Sequence, residues 1–296
     1  MLIKENVRLQ SVISGTWKSA LTILLVCFLS SAFNEFVLKK YMDFPSIFPS
    51  LLGTTLAFFI GFNNNQAYGR WWEARIIAGG VSGLSRSLAR QCIGYIAERP
   101  EAEKMIYRQI AFAYALKEYL RNTNEKSYEK YFKEEIPAAI LKAKNKYSGI
   151  LQLQVLHLQK LYSQGHIDGF KFAQLNETLS SISGEMGKAE RIKNTVFPTT
   201  YIFYTKLFIW IFIISVTIVF NDSVGLVPAA ILGLVIGYVY FISHKVGETL
   251  LNPFVASPVA IPLDHLTRST EIDLKEVLGE DNLPDPLPTI KDEYIL

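Results

Sequence analysis

Cysteine is nearly absent. The 296 residues hold two, Cys27 in an apolar run and Cys92 in a charged one. That excludes a disulfide framework and fits a cytoplasmic and membrane setting. Histidine is scarce as well. His157, His166, His244 and His265 are scattered, and none has a partner at metal-ligand spacing, so no metal site is expected. GxxxxGK[ST], HExxH, GxSxG and CxxC are all missing, so neither an enzyme nor a cofactor is expected. Charged residues make up only 19%, with a formal net charge of +3 and no basic stripe interleaved with aromatics, which excludes nucleic acid as a partner. Period-two alternation is essentially absent too, which leaves an all-α chain.

What is present is apolar. Half of the residues are hydrophobic and mean hydropathy is positive. Four runs are long enough to cross the roughly 20-residue hydrocarbon core. The first is 16–38, with Trp17 placed as an interfacial aromatic. Lys18 and the Ser30-Ser31-Ala32 triplet also permit a signal-peptide reading, which the later spans oppose. The second starts near Pro45 or Pro49, where proline is tolerated in a first helical turn, and continues to about Phe62. The third opens at Pro198, and a short turn at Asn221-Asp222-Ser223 leads to the fourth, 224–243. Gly233 and Gly237 give the fourth span a small-xxx-small spacing. Lys206 is the one basic residue well inside an apolar run, and snorkels or faces the bundle interior.

Between the second and third spans lies a charged segment with helical periodicity. Ile110, Ala113, Tyr114, Leu116, Lys117 and Leu120 recur at three and four, as do Leu151, Val155, Leu158 and Leu161. A further helix is expected over 168–194, breaks at Pro100 and Pro137, a kink at Gly79-Gly80, and a helix from Glu271 to Leu278 stopped by Gly279. The chain thus divides into 1–69 (two spans), 70–197 (cytosolic helical domain), 198–245 (two spans) and 246–296 (cytosolic C-terminal segment and tail). Lys4, Arg8, Arg70, Arg75, Arg86 and Arg90 put both termini on the cytoplasmic side of a multi-pass protein.

Residues 43–75 hold the most chemistry. Thr54, Phe58 and Phe62 share one slowly drifting helix face. In several copies around an axis they form a hydrophobic constriction; in one copy they are ordinary packing. Asn63, Asn64, Asn65 and Gln66 follow at once, and four consecutive amides do not all face lipid. They line a watery inner mouth or mark where the helix leaves the membrane. Arg70, Trp71 and Trp72 read as a structural anchor, with Glu73 or Glu248 as the acid for Arg70.

Three motifs together carry a resemblance. Gly61-Phe62 is followed seven residues later by Arg70-Trp71-Trp72, ERIKNTVFP (190–198) precedes the third span, and KVGETLLNPF (245–254) follows the fourth. In these the chain resembles the bestrophin family, particularly its bacterial branch, over roughly residues 1–279. The resemblance implies a homopentameric ion channel in the cell inner membrane. Each subunit would have four transmembrane helices and a large cytosolic helical region. Its partners would be membrane lipid, further copies of itself and monovalent ions, with cations favoured and an anion (chloride) channel as the alternative. It places the pore neck at Thr54, Phe58 and Phe62, with Thr54 replacing the usual apolar residue. It places a cytosolic aperture at Phe170, with Ile167 or Phe172 as alternatives and Asp168 as an acidic ring that favours cations. A non-conducting scaffold or sensor is the alternative from another class, and a carrier a weaker one, since inverted repeats are missing.

One departure generates a prediction. Animal bestrophins follow Asn-Pro-Phe with an acidic run that binds calcium. Here Asn252-Pro253-Phe254 is followed by VASPVAIPLD, with no acid before Asp264, and carbonyls alone are a poor calcium site. Current and calcium affinity are expected to be unchanged by millimolar chelator. Calcium dependence acting through 252–264 would overturn this.

Overall fold

The computed structural model describes residues 9–132, 136–290 and 294–295. Its helices are α1 (Leu9–Phe36), α2 (Ile47–Tyr95), α3 (Arg99–Arg121), α4 (Ala138–Lys142), α5 (Lys146–Ser163), α6 (Gly169–Asn194), α7 (Thr199–Val224), α8 (Leu226–Leu250) and α9 (Leu263–Leu278). Among the described residues there is no strand, only a bridge between Ile290 and Tyr294. Helix contacts divide the chain into two compact units, with α1, α2 up to Arg70, α7 and α8 in one, and α2 from Trp71, α3–α6 and α9 in the other.

The first unit is apolar. Four of its helical segments are long and apolar enough to cross a membrane, by length and composition. Its core joins Ile23 and Cys27 of α1, Leu56 and Ile60 of α2, Ile209, Phe212 and Ile213 of α7, and Ala230 of α8. The glycines of α8 set the spacing. A Cβ on Gly233 would lie 2.2 Å from Thr217 Oγ1, and one on Gly237 2.8 Å from Ile213 Cγ1, so α7 and α8 touch backbone to side chain. At one end Asn34 Nδ2 donates to Asn221 Oδ1 and Asp222 Oδ1, both at 2.7 Å, and Asn221 Nδ2 donates to Ser31 Oγ at 3.0 Å. The turn expected at Asn221-Asp222-Ser223 is therefore helix. Asn221 and Asp222 tie α7 to α1, and the chain reverses at Gly225, whose φ of 80° and ψ of 177° is a conformation open to glycine.

In the second unit, buried apolar residues run through α3, α5, α6 and α9, with Phe112, Ile106, Leu158, Leu175, Ile182 and Leu274 at the centre. Pro100 sits in the first turn of α3, as its missing N–H requires. Helix α2 continues as helix through Gly79-Gly80. Gly80 serves packing, because a Cβ there would lie 3.3 Å from the Glu185 carboxylate. Helix α9 begins at Leu263, earlier than the expected Glu271, and ends as expected at Gly279, with φ 72°.

A polar seam crosses this core. Gln109 Nε2 donates to Ser85 Oγ at 2.7 Å, and Gln154 Nε2 to Gln109 Oε1 at 3.0 Å, all three fully buried. One turn further along α5, buried His157 has Nε2 at 2.6 Å from Glu101 Oε2 and Nδ1 at 2.9 Å from Arg108 Nη1. A guanidinium only donates, so Nδ1 accepts and Nε2–H donates to Glu101. Burial, with Arg108 and Lys104 nearby, holds the imidazole below its ordinary pKa, and Glu101 opposes this. A depressed histidine contributes stability that is present above the unfolded value of about 6.5 and is lost as pH falls through the folded one. Acidifying from about pH 7.5 to about pH 5.5 is expected to lower the Tm of the wild type more than that of His157→Gln, read by thermal melting. Equal shifts would overturn the assignment.

Candidate functional site

Helix α2 up to Arg70 has two unlike faces. Pro49, Gly53, Leu56, Ile60, Asn63 and Ala67 are buried, at alternating spacings of four and three. Thr54, Phe58, Phe62, Asn65, Gln66 and Gly69 are exposed. Phe58 is 76% exposed and Phe62 52%. Leu51, one heptad before Phe58, stands on the same side at 63%. The period-3.5 recurrence of the buried set is what turns these aromatics outward together.

Thr54 donates its hydroxyl to Ser50 O at 3.0 Å, within its own helix. The amide run is divided by helix rotation, about 100° per residue. Asn65 and Gln66 are exposed beside the Phe62 face. Asn64 is half-buried, its Nδ2 donating to Ser243 O at 2.9 Å, and its Oδ1 occupies the space over Gly247, where a Cβ would meet it at 2.1 Å. Asn63 is fully buried, and neither its Oδ1 nor its Nδ2 has a hydrogen-bond partner among the described residues. Asn63 and Asn64 thus differ from the expected inner-mouth set, because four consecutive residues span about 300° of a helix and do not all share one face.

The anchor residues separate as well. Arg70 Nε donates to Leu251 O at 2.9 Å, three residues past Glu248. Glu248 lies 2.6 Å from Lys206 Nζ and 3.8 Å from His244 Nε2. Lys206 is thus the cationic half of an ion pair, which its position in an apolar run requires. Trp71 Nε1 donates to Val259 O at 2.8 Å, while Trp72 is half-exposed, its ring centroid 6.3 Å from that of Trp71. Glu73, the other acid considered for Arg70, pairs with Arg191.

At the start of α6, Asp168 caps the helix, accepting from Lys171 N at 2.9 Å. Phe170 is 87% exposed. Of its alternatives, Ile167 is buried and Phe172 packs on Tyr162, ring centroids 5.1 Å apart. Phe170 is therefore the one of the three available to a lumen or to another chain.

Sequence reading missed one organising residue. The side chain of Arg121 is buried, and its guanidinium donates to Phe254 O at 2.9 Å, Ile261 O at 3.3 Å and Asp264 Oδ2 at 3.3 Å. Lys117 reaches the other Asp264 oxygen at 3.0 Å. Burial pulls the guanidinium below its ordinary pKa, and Asp264 opposes this. Together Arg121 and Trp71 hold the 252–262 segment by its carbonyls, which no periodicity in the sequence signals.

The profile of the family described as Bacterial/Fungal Bestrophin protein matches residues 6–276. The chain is 28% identical over 266 residues to the voltage-dependent anion channel-forming protein YneE of Escherichia coli strain K12, spanning 88% of this chain and 87% of that one. It is 29% identical over 230 residues to the voltage-dependent anion channel-forming protein mll4386 of Mesorhizobium japonicum, spanning 78% and 74%. Among solved structures, a bacterial bestrophin homolog from Klebsiella pneumoniae aligns with a TM-score of 0.82 at 22% identity, over 89% of this chain and 98% of that one.

Arg121→Met strands two carbonyls and half of a carboxylate contact, and is expected to cost about 3 kcal/mol of stability. Hydrogen exchange should quicken over 252–262, and Arg121→Lys should restore part of the protection. Unchanged exchange in Arg121→Met would remove the role given to the guanidinium.

Proposed function

This chain belongs to the bacterial and fungal bestrophin family, and on that premise we propose that it is a homopentameric channel passing monovalent ions through a neck lined by α2. The relatives are named as channels rather than enzymes, in keeping with the missing catalytic motifs. Four spans per subunit sit in a cell inner membrane with both termini cytoplasmic. The observation that carries the neck is the continuity of one α2 face, from Phe58 and Phe62 into Asn65 and Gln66. Exposed phenylalanines alone are at home in lipid, but exposed amides on the same strip are not. Such a strip fits an axis where apolar rings give way to water. Five copies of Phe58 and Phe62 then make two constrictions that govern passage by wetting. Phe170 and Asp168 form the cytosolic aperture.

For ion sign, the exposed Asp168 carboxylate supports cations, because five copies at a mouth concentrate them. The names of the relatives support a second reading, anion conduction. Reversal potentials of purified protein in bilayers under a potassium chloride gradient decide between them. The expected potential lies toward that of potassium, and Asp168→Asn moves it toward zero. A potential toward chloride establishes the anion reading, and no current at all the scaffold reading. Phe58→Ala together with Phe62→Ala is expected to raise liposome flux; unchanged flux and selectivity would remove the neck.

A further inference from the structure

The charges at the two ends of the membrane-spanning unit are balanced differently. Near the α1–α2 and α7–α8 turns, Lys39 Nζ lies 2.6 Å from Glu35 Oε2 and 3.8 Å from Asp222 Oδ1, and Asp43 adds a third acid against Lys39 and Lys40. At the opposite end of α1 and α8 the cations are Lys18 and Lys245. No acid occurs over residues 9–30 or 240–247, and Glu248 is engaged by Lys206. The described contacts of the two lysines are to neutral groups. Lys245 Nζ donates to Gly15 O at 3.3 Å, and Lys18 Nζ lies 5.8 Å from the centroid of the Trp17 ring. Neither has a carboxylate partner among the described residues.

The fold brings these lysines together. Thr16 and Tyr238 share a hydroxyl–hydroxyl hydrogen bond of 2.7 Å, and at the far end Ser31 Oγ donates to Leu226 O at 2.9 Å, so α1 and α8 run antiparallel in contact. Their depth is set by sequence. Lys18 stands in the first turn of the 16–38 apolar run, and Lys245 two residues past the end of the 224–243 run. Trp17 is exposed at the same level, as an interfacial aromatic is. Leu21 and Leu25 follow Lys18 on α1, and Val239 and Val235 precede Lys245 on α8, all exposed.

We propose that Lys18 and Lys245, with Trp17 and the Tyr238 hydroxyl beside them, bind the headgroup of an anionic phospholipid in the leaflet on the side of the chain termini. The inference rests on the transmembrane reading above but not on conduction. Charge complementarity selects the occupant. Two ammonium groups on neighbouring helices at the edge of the hydrocarbon, with no carboxylate partner among the described residues, are offset by a headgroup phosphate. The exposed leucines and valines beside them contact its acyl chains. A membrane surface also supplies anions at a density that free phosphate in solution lacks, and basic residues near such a surface are drawn to it.

Native mass spectrometry of the purified protein, offered phosphatidylglycerol and phosphatidylcholine in equal amounts, tests this. The wild type is expected to retain phosphatidylglycerol about tenfold over phosphatidylcholine. Lys18→Gln with Lys245→Gln should lose the preference, Lys18→Arg with Lys245→Arg should keep it, and Lys39→Gln with Lys40→Gln should leave it unchanged. The arginine pair controls for folding, because it preserves charge and size. Equal retention by the wild type and the glutamine pair would overturn the site. Displacement of the lipid by an equal concentration of inorganic phosphate would overturn the lipid assignment, and a changed subunit count in the glutamine pair would give these lysines to a neighbouring copy instead. Selective retention by a protein that passes no current leaves the lipid site standing and removes only the channel reading.

Discussion

Everything in this chain depends on one continuous helix that has to satisfy different surroundings along its length. Helix α2 has 49 residues. At 1.5 Å per residue that is about 74 Å, more than twice the thickness of a hydrocarbon core. One side of it keeps to a strict rhythm up to Ala67, with every buried position three or four residues from the last. The other side changes chemistry without changing backbone, from Leu51 through Phe58 and Phe62 to Asn65 and Gln66. An α-helix permits this because its backbone hydrogen bonds are internal, so only side chains register the change of solvent.

The packing partners serve that helix by economy of size. Gly53 lets Phe212 approach, with 2.8 Å between a Cβ there and the ring, and accepts the Tyr240 hydroxyl at its carbonyl. Gly233 and Gly237 do the same between α7 and α8. In lipid the apolar side chains of one helix gain little by touching another, so close van der Waals fit and interhelical hydrogen bonds hold such a bundle. The Asn34–Asn221–Ser31 set supplies the hydrogen bonds.

The helical class and the existence of the apolar and amphipathic helices were legible in sequence, because period and run length are local properties. The motifs around Arg70, Pro198 and Phe254 carried the family. Legibility ended where the answer depended on rotation or on distant partners. Asn221 looked like a turn residue because its amide competes with the backbone locally, yet a partner on α1 keeps it helical. The four amides read as one feature because they are adjacent in the chain, and helix geometry sends them to different sides. Arg121 was invisible because its acceptors, Phe254 O and Ile261 O, are backbone atoms more than a hundred residues away.

Asn63 shows how the two faces of α2 are linked. A buried amide without partners costs about 1–3 kcal/mol, and an apolar residue in its place would fit the rhythm of Leu56 and Ile60. The bundle nevertheless carries it, directly after Phe62 and beside Asn64, whose own amide is tied to the backbone of α8. Ser243, which accepts that bond, immediately precedes His244, and Gly247, which makes room for the Asn64 oxygen, immediately precedes Glu248. The exposed aromatic Phe62 is therefore two residues from Asn64, which is hydrogen-bonded to the segment of α8 that holds Glu248 of the Lys206–Glu248 ion pair. A helix turned by one residue step, about 100°, would trade Asn63 for Phe62 in the interior. The bond of Asn64 to Ser243 O and its fit over Gly247 fix the rotation of α2 against the cost of burying the Asn63 amide, and with it the direction in which Phe58 and Phe62 point.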